Sequence, residues 1–91
     1  MKYEILSTGR FKKDLKAIMK RGYNIQLLQY VVSLLVAGST LPEKYKDHTL
    51  AGNWTGHREC HITPDWLLVY RIDNDILILT LTRTGTHSDL F

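Results

Sequence analysis

The chain has 91 residues, with 12 Lys and Arg against 9 Asp and Glu for a net charge of +3, 44% apolar and 23% charged side chains, and one cysteine, Cys60. That is the balance of a folded domain with one core, not of a disordered chain, and a single cysteine excludes an internal disulfide framework. No apolar run approaches the roughly 20 residues of a membrane span, and the charged opening residues carry no signal core, so a cytoplasmic location with no membrane partner is expected.

Tyr3 and Ile5 alternate with polar neighbours, which predicts a short strand ended by Ser7, Thr8 and Gly9. Either Ser7 or Thr8 can cap the helix that follows. Its apolar face is Phe11, Leu15, Ile18 and the stem of Met19. The opposite face is basic: Arg10, Lys12, Lys13, Lys16, Lys20 and Arg21 are half of the chain's Lys and Arg, opposed there only by Asp14. Gly22 supplies the left-handed residue that closes this helix. Asn24 caps a second one carrying Ile25, Leu27, Leu28, Val31, Val32, Leu34, Leu35 and Val36. So wide an apolar arc predicts deeper burial than the first helix, and Ala37-Gly38-Ser39 stops it. Residues 45–53 read as polar and irregular. Strands are predicted over 54–62, 66–72 and 76–83, with turns at Thr63-Pro64-Asp65 and Asp73-Asn74-Asp75. After a Gly85 turn, the tail has room for one helical turn. The order predicts a single α+β domain over 1–91, with two N-terminal helices packed on a twisted antiparallel sheet whose other face is free to carry a site.

The chemistry lies in the second half. His48, His61 and His87 fall in polar, Gly-punctuated segments together with Asp65 and Arg83. Imidazole both takes and gives a proton near neutral pH. RNA is cut without a metal when its own 2′-hydroxyl attacks the adjacent phosphorus, given a base, a cation at the phosphoryl oxygens and an acid for the departing 5′-oxygen. Each acid or base contributes about a hundred- to ten-thousandfold, and Arg suits the phosphate. Taken singly, these residues have ordinary readings: His48 as loop surface, Asp65 as a turn residue, Arg83 as a strand end, His87 as a fraying tail. The lysines can likewise be a solvated helix face or a stripe that tracks nucleic acid. A zinc set of His57, Cys60 and His61 with His48 or His87 lacks paired ligand spacing, and strand geometry turns Cys60 and His61 to opposite faces. No metal and no cofactor is therefore expected. Trp54, Trp66 and Tyr70 read as core, whereas Phe91 can stack on a base.

Two segments carry a resemblance. YKDHTLAGNWTGHRECHITPDWLLVY, residues 45–70, resembles the signature stretch of YafQ-like toxins in the RelE/ParE superfamily, and RTGTHSDLF, residues 83–91, is similar to that group's closing motif. The opening FKKDLK, residues 11–16, matches less specifically. The resemblance implies a ribosome-dependent mRNA endoribonuclease, the toxin of a type II toxin–antitoxin pair, with two helices against a twisted antiparallel sheet. It implies active residues at His48, His61, Asp65 and His87, supported by Arg83 and Phe91. His48 and Asp65 remain alternative bases, with His87 as the acid. Lys12, Lys13 and Lys16 would contact ribosomal RNA, and a cognate antitoxin is the implied protein partner. The alternative is a non-catalytic ParE-like toxin that occupies a topoisomerase, which would have no use for the histidine–aspartate set.

Overall fold

Capping and turn chemistry lay out the chain, which a computed structural model describes over residues 2–91. Strand β1 (Glu4–Ser7) runs into helix α1 (Gly9–Lys20). Of the two possible caps, Thr8 is used: its hydroxyl accepts from the Phe11 amide at 2.9 Å. Gly22, at φ 81°, takes the left-handed turn after α1. The Asn24 side chain then accepts from the Gln26 amide at 3.0 Å and starts α2 (Ile25–Val36). Leu28, Val31 and Leu35 of α2 are buried as its apolar arc predicts, but Leu27 faces solvent.

Residues 45–53 are more regular than their composition suggests. Two 3-10 turns, Glu43–Tyr45 and Gly52–Trp54, flank the two-residue strand β2 (His48–Thr49), which is too short for any alternation to be read. The next strand starts four residues later than predicted. Trp54 belongs to the turn and Gly56 takes φ 90°, so β3 is Arg58–Thr63. β4 (Trp66–Asp73) follows the expected turn. β5 (Ile78–Gly85) is shifted two residues from the prediction because Leu77 adopts φ 54° and lengthens the hairpin. A single-turn helix α3 (His87–Leu90) ends the chain.

The sheet order is β1-β5-β4-β3-β2. All neighbours are antiparallel except β1, which runs parallel to β5 from Glu4↔Ile78 to Ser7↔Leu81. On one face α1 and α2 bury Phe11, Ile18, Leu28, Val31 and Leu35 against Cys60, Ile62, Trp66, Leu68, Tyr70, Leu79 and Leu81. The opposite face is not the wholly free surface that the sequence predicts. Leu67 and Val69 alternate onto it and are sealed by Leu90 of α3, with Leu50 and Trp54 at the edge. Burial from both sides explains why Trp66 to Tyr70 is an unbroken apolar run.

Beyond Leu81 the β5 edge has no strand beside it, and Asp14 of α1 serves there instead. Its carboxylate accepts from the Thr84 amide at 3.2 Å and from Arg83 Nε and Nη2 at 2.7 and 3.1 Å. Thr84 itself is buried, accepting from Trp66 Nε1 and donating to the Leu67 carbonyl, both at 2.8 Å. Among the described residues, no helix is long and apolar enough to cross a membrane.

Candidate active site

Pairing register decides which side chains meet. His48 lies opposite Glu59, and Glu59 opposite Val69; one step along, His61 lies opposite Leu67, and Leu67 opposite Gly85. Glu59 and His61 are two residues apart on β3, so both project to the face away from α1 and α2. Glu59 Oε1 sits 3.6 Å from His48 Nε2 and 3.8 Å from His61 Nε2, and the Glu59 side chain is only 7% exposed. The imidazole centroids are 6.5 Å apart. These spacings exceed a hydrogen bond, yet they are short enough for a charge on either ring to interact with the carboxylate.

The other ring nitrogens fix the rings. His48 Nδ1 lies 2.7 Å from the Lys46 carbonyl and His61 Nδ1 lies 3.3 Å from the Pro64 carbonyl. A carbonyl only accepts, so each Nδ1 carries the hydrogen and each Nε2 is the nitrogen left for chemistry. His48 is half exposed and His61 partly exposed, so both are open to substrate.

The segment bearing His48 is anchored through its neighbour. The Asp47 carboxylate accepts from Arg58 Nε at 3.2 Å, from Arg58 Nη2 at 2.8 Å and from the Tyr70 hydroxyl. Burial, and then the hydrogen bond to Asp47, push the Tyr70 hydroxyl well above the usual phenol range. The phenol therefore stays a neutral donor, and β2 is tied down to β3 and β4.

His87 and Phe91 come from the tail. Thr86 and Asp89 form a reciprocal capping box, the Asp89 amide donating to the Thr86 hydroxyl at 3.2 Å and the Thr86 amide to Asp89 Oδ2 at 2.9 Å. The His87 and Phe91 rings stand 5.3 Å apart, and Phe91 meets Trp54 edge-on at 5.9 Å. Leu90 seats the turn on Leu67 and Val69. Gly85, two residues before His87, lies two strands from His61, which is roughly 10 Å. Through Leu90, α3 is therefore seated on the sheet face from which Glu59 and His61 project.

Asp65 is exposed in the β3–β4 turn and makes no hydrogen bond to an imidazole among the described residues. The carboxylate between the rings is Glu59, whose one sequence signal is its position two before His61 in a strand. Arg83 points to α1, where Asp14 takes two of its nitrogens, and its side chain is 14% exposed. His57 lies outside β3, partly buried and edge-on to Trp54 at 5.7 Å. Cys60 lines the helix-side core, where burial pushes its thiol up to about 12 and removes it as a nucleophile. Lys12, Lys13 and Lys16 are all exposed on α1. Among the described residues, no group of three His, Cys, Asp or Glu side chains is arranged to hold a metal ion.

Residues 3–91 match the family model described as the bacterial toxin of the type II toxin–antitoxin system, YafQ. The mRNA interferase toxin YafQ of Escherichia coli strain K12 is 40% identical over 89 residues, which is 97% of this chain and 95% of that protein. The toxin in the crystal structure of the E. coli DinJ–YafQ complex superposes with a TM-score of 0.90 at 40% identity, covering 98% of each chain. A metal-bound toxin from Helicobacter pylori superposes at 0.92 with 45% identity, over 98% of this chain and 99% of that one.

Proposed function

This chain belongs to the YafQ family of bacterial type II toxins, and from that premise we propose that it is an endoribonuclease that cuts mRNA held in the ribosomal decoding site. One observation carries this reading: two imidazoles, each anchored at Nδ1 by a backbone carbonyl, turn Nε2 toward one nearly buried carboxylate on a face that also bears His87 and Phe91. A protein that acts only by occupying its target has no use for such an arrangement.

In the proposed reaction the 2′-hydroxyl of the message attacks the adjacent phosphorus while His48 Nε2 takes its proton. Glu59 balances the positive charge that His48 acquires. That support favours His48 over Asp65 as the base. His61 stabilises the charge on the phosphoryl oxygens as an imidazolium, donating from Nε2 while Nδ1 stays on the Pro64 carbonyl, and His87 gives its proton to the departing 5′-oxygen. The P–O5′ bond breaks, leaving a 2′,3′-cyclic phosphate, or its opened 3′-phosphate, and a 5′-hydroxyl. The substrate supplies its own nucleophile, so the scheme runs without a metal. Phe91 stacks on a base beside the scissile bond. Arg83 joins at phosphorus only by exchanging Asp14 for the phosphate. Lys12, Lys13 and Lys16 bind ribosomal RNA, and a cognate antitoxin covers the toxin until it is released.

The test is to add the purified protein to ribosomes translating a defined message and to map new ends. New 5′-hydroxyl ends are expected, with a bell-shaped pH–rate profile and no loss of rate under a transition-metal chelator that spares the ribosome's Mg²⁺. His87→Ala is expected to abolish cleavage while ribosome binding persists. An intact message at saturating protein overturns the proposal, as does a rate that the chelator eliminates.

A further inference from the structure

α3 carries His87, with Phe91 as its C-cap, but is one turn long, far short of what holds a helix together unaided. A helix of one turn frays unless something holds it. Two things oppose fraying: the Leu90 seat on Leu67 and Val69, and a second use of the capping carboxylate. Arg21, the C-cap of α1, donates from Nη1 to Asp89 Oδ2 at 2.7 Å and from Nη2 to Oδ1 at 3.1 Å.

We propose that Arg21 and Asp89 form a latch that positions His87 and Phe91 for the reaction, so that Arg21 acts through the fold and not on RNA. The inference rests on the endoribonuclease reading above. One carboxylate closes the cap at Thr86 and receives the guanidinium fork, so the pair fixes the same turn from which His87 projects. The Arg21 hydrogen bond, followed by that of the Thr86 amide, holds the Asp89 carboxyl well below the usual carboxylate range. Gly85 completes the arrangement. A Cβ there would stand 3.0 Å from both Cβ and Oδ2 of Asp89, so glycine lets β5 come this close. A cavity of about 190 Å³ is bounded by the Arg21–Asp89 and Arg83–Asp14 pairs. Lysine cannot reproduce that two-pronged geometry.

An exposed pair of this kind shifts a local equilibrium by about two- to fivefold. That is small for the whole fold but matters to a single terminal turn. Arg21→Ala and Asp89→Asn, the latter keeping an oxygen for the Thr86 amide, are each expected to lower kcat by about that factor at nearly unchanged KM for ribosomes. The double variant is expected to lose no more than either single one, since both remove the same contact. Arg21→Lys should recover only part of the loss. The activity-independent readout is hydrogen exchange at the Leu90 and Phe91 amides, which donate to Thr86 and His87 carbonyls and should exchange faster in each single variant. A rise in KM for Arg21→Ala alone, with Asp89→Asn silent or tighter-binding, would assign Arg21 to RNA and overturn the latch. Unchanged exchange in both variants would also overturn it. A wild-type protein that cuts no message would sink the ribonuclease reading instead, and the exchange result would still judge the latch.

Discussion

Glu59 is costly where it stands. A nearly buried carboxylate with its imidazole nitrogens at 3.6 and 3.8 Å gives up water without gaining a short ion pair. Groups kept at such a cost tend to serve the reaction, and the fold would lose little without the charge. Glu59→Gln preserves volume while removing the charge that balances a protonated His48. It is expected to lower kcat on the order of 10- to 100-fold, with the urea midpoint unchanged or raised. Single-turnover cleavage and equilibrium unfolding on the same sample check both halves, and a falling midpoint with intact kcat would reduce Glu59 to a structural residue. The imidazoles of this site are legible in the sequence because residue type alone singles them out. Glu59 is not, because only pairing register brings that strand carboxylate between His48 and His61, whereas Asp65 draws attention by its Pro-Asp-Trp turn. The surroundings of Arg83 are hidden for a related reason. Whether a strand-end guanidinium faces the site or α1 depends on Asp14, 69 residues away in the chain.

The elements of the first half are read from the sequence nearly to their ends because their signals are local: Thr8 and Asn24 as caps, Gly22 as a stop. The second half depends on pairing between distant segments. β2 has two residues and no pattern of its own, and it exists because β3 lies beside it and Asp47 ties it down. Likewise, nothing in residues 4–7 announces that β1 pairs parallel to the last strand. The dependence of β2 on Asp47 can be tested. Asp47→Ala would leave the buried Tyr70 hydroxyl and the Arg58 guanidinium without their shared acceptor, a loss of about 1–3 kcal/mol. Because the same carboxylate holds the segment that carries His48, kcat is expected to fall along with stability. Asp47→Asn, which retains an acceptor oxygen, should recover a good part of both. A variant that unfolds earlier but cleaves at the wild-type rate would separate β2 anchoring from catalysis.

At the scale of the whole molecule, the proposed function gives the two sides of the sheet different jobs. One face carries the histidines, and the other is covered by helices of which α1 turns Lys12, Lys13 and Lys16 outward. On that proposal the binding charge and the reacting groups belong to different sides of a body whose principal extents are 35 × 29 × 27 Å, small enough for both to engage one ribosome at once. This arrangement makes the two contributions separable in kinetics. Reversing the three lysines to Glu touches no buried side chain, so the fold and the rate within a saturated complex should stand. What should change is assembly: each phosphate neutralised by a lysine contributes about 0.7–0.9 to the slope of log affinity against log salt. The triple variant is then expected to raise KM for ribosomes and to flatten that slope by about two to three, with kcat retained. Titrating cleavage against ribosome concentration at several salt levels measures both quantities. An unchanged slope would mean that the lysines are a solvated face after all and that the ribosome is met through another surface. A lost kcat at saturation would mean instead that α1 must be seated on RNA before the imidazoles can act, coupling the helix side of the sheet to the histidine side.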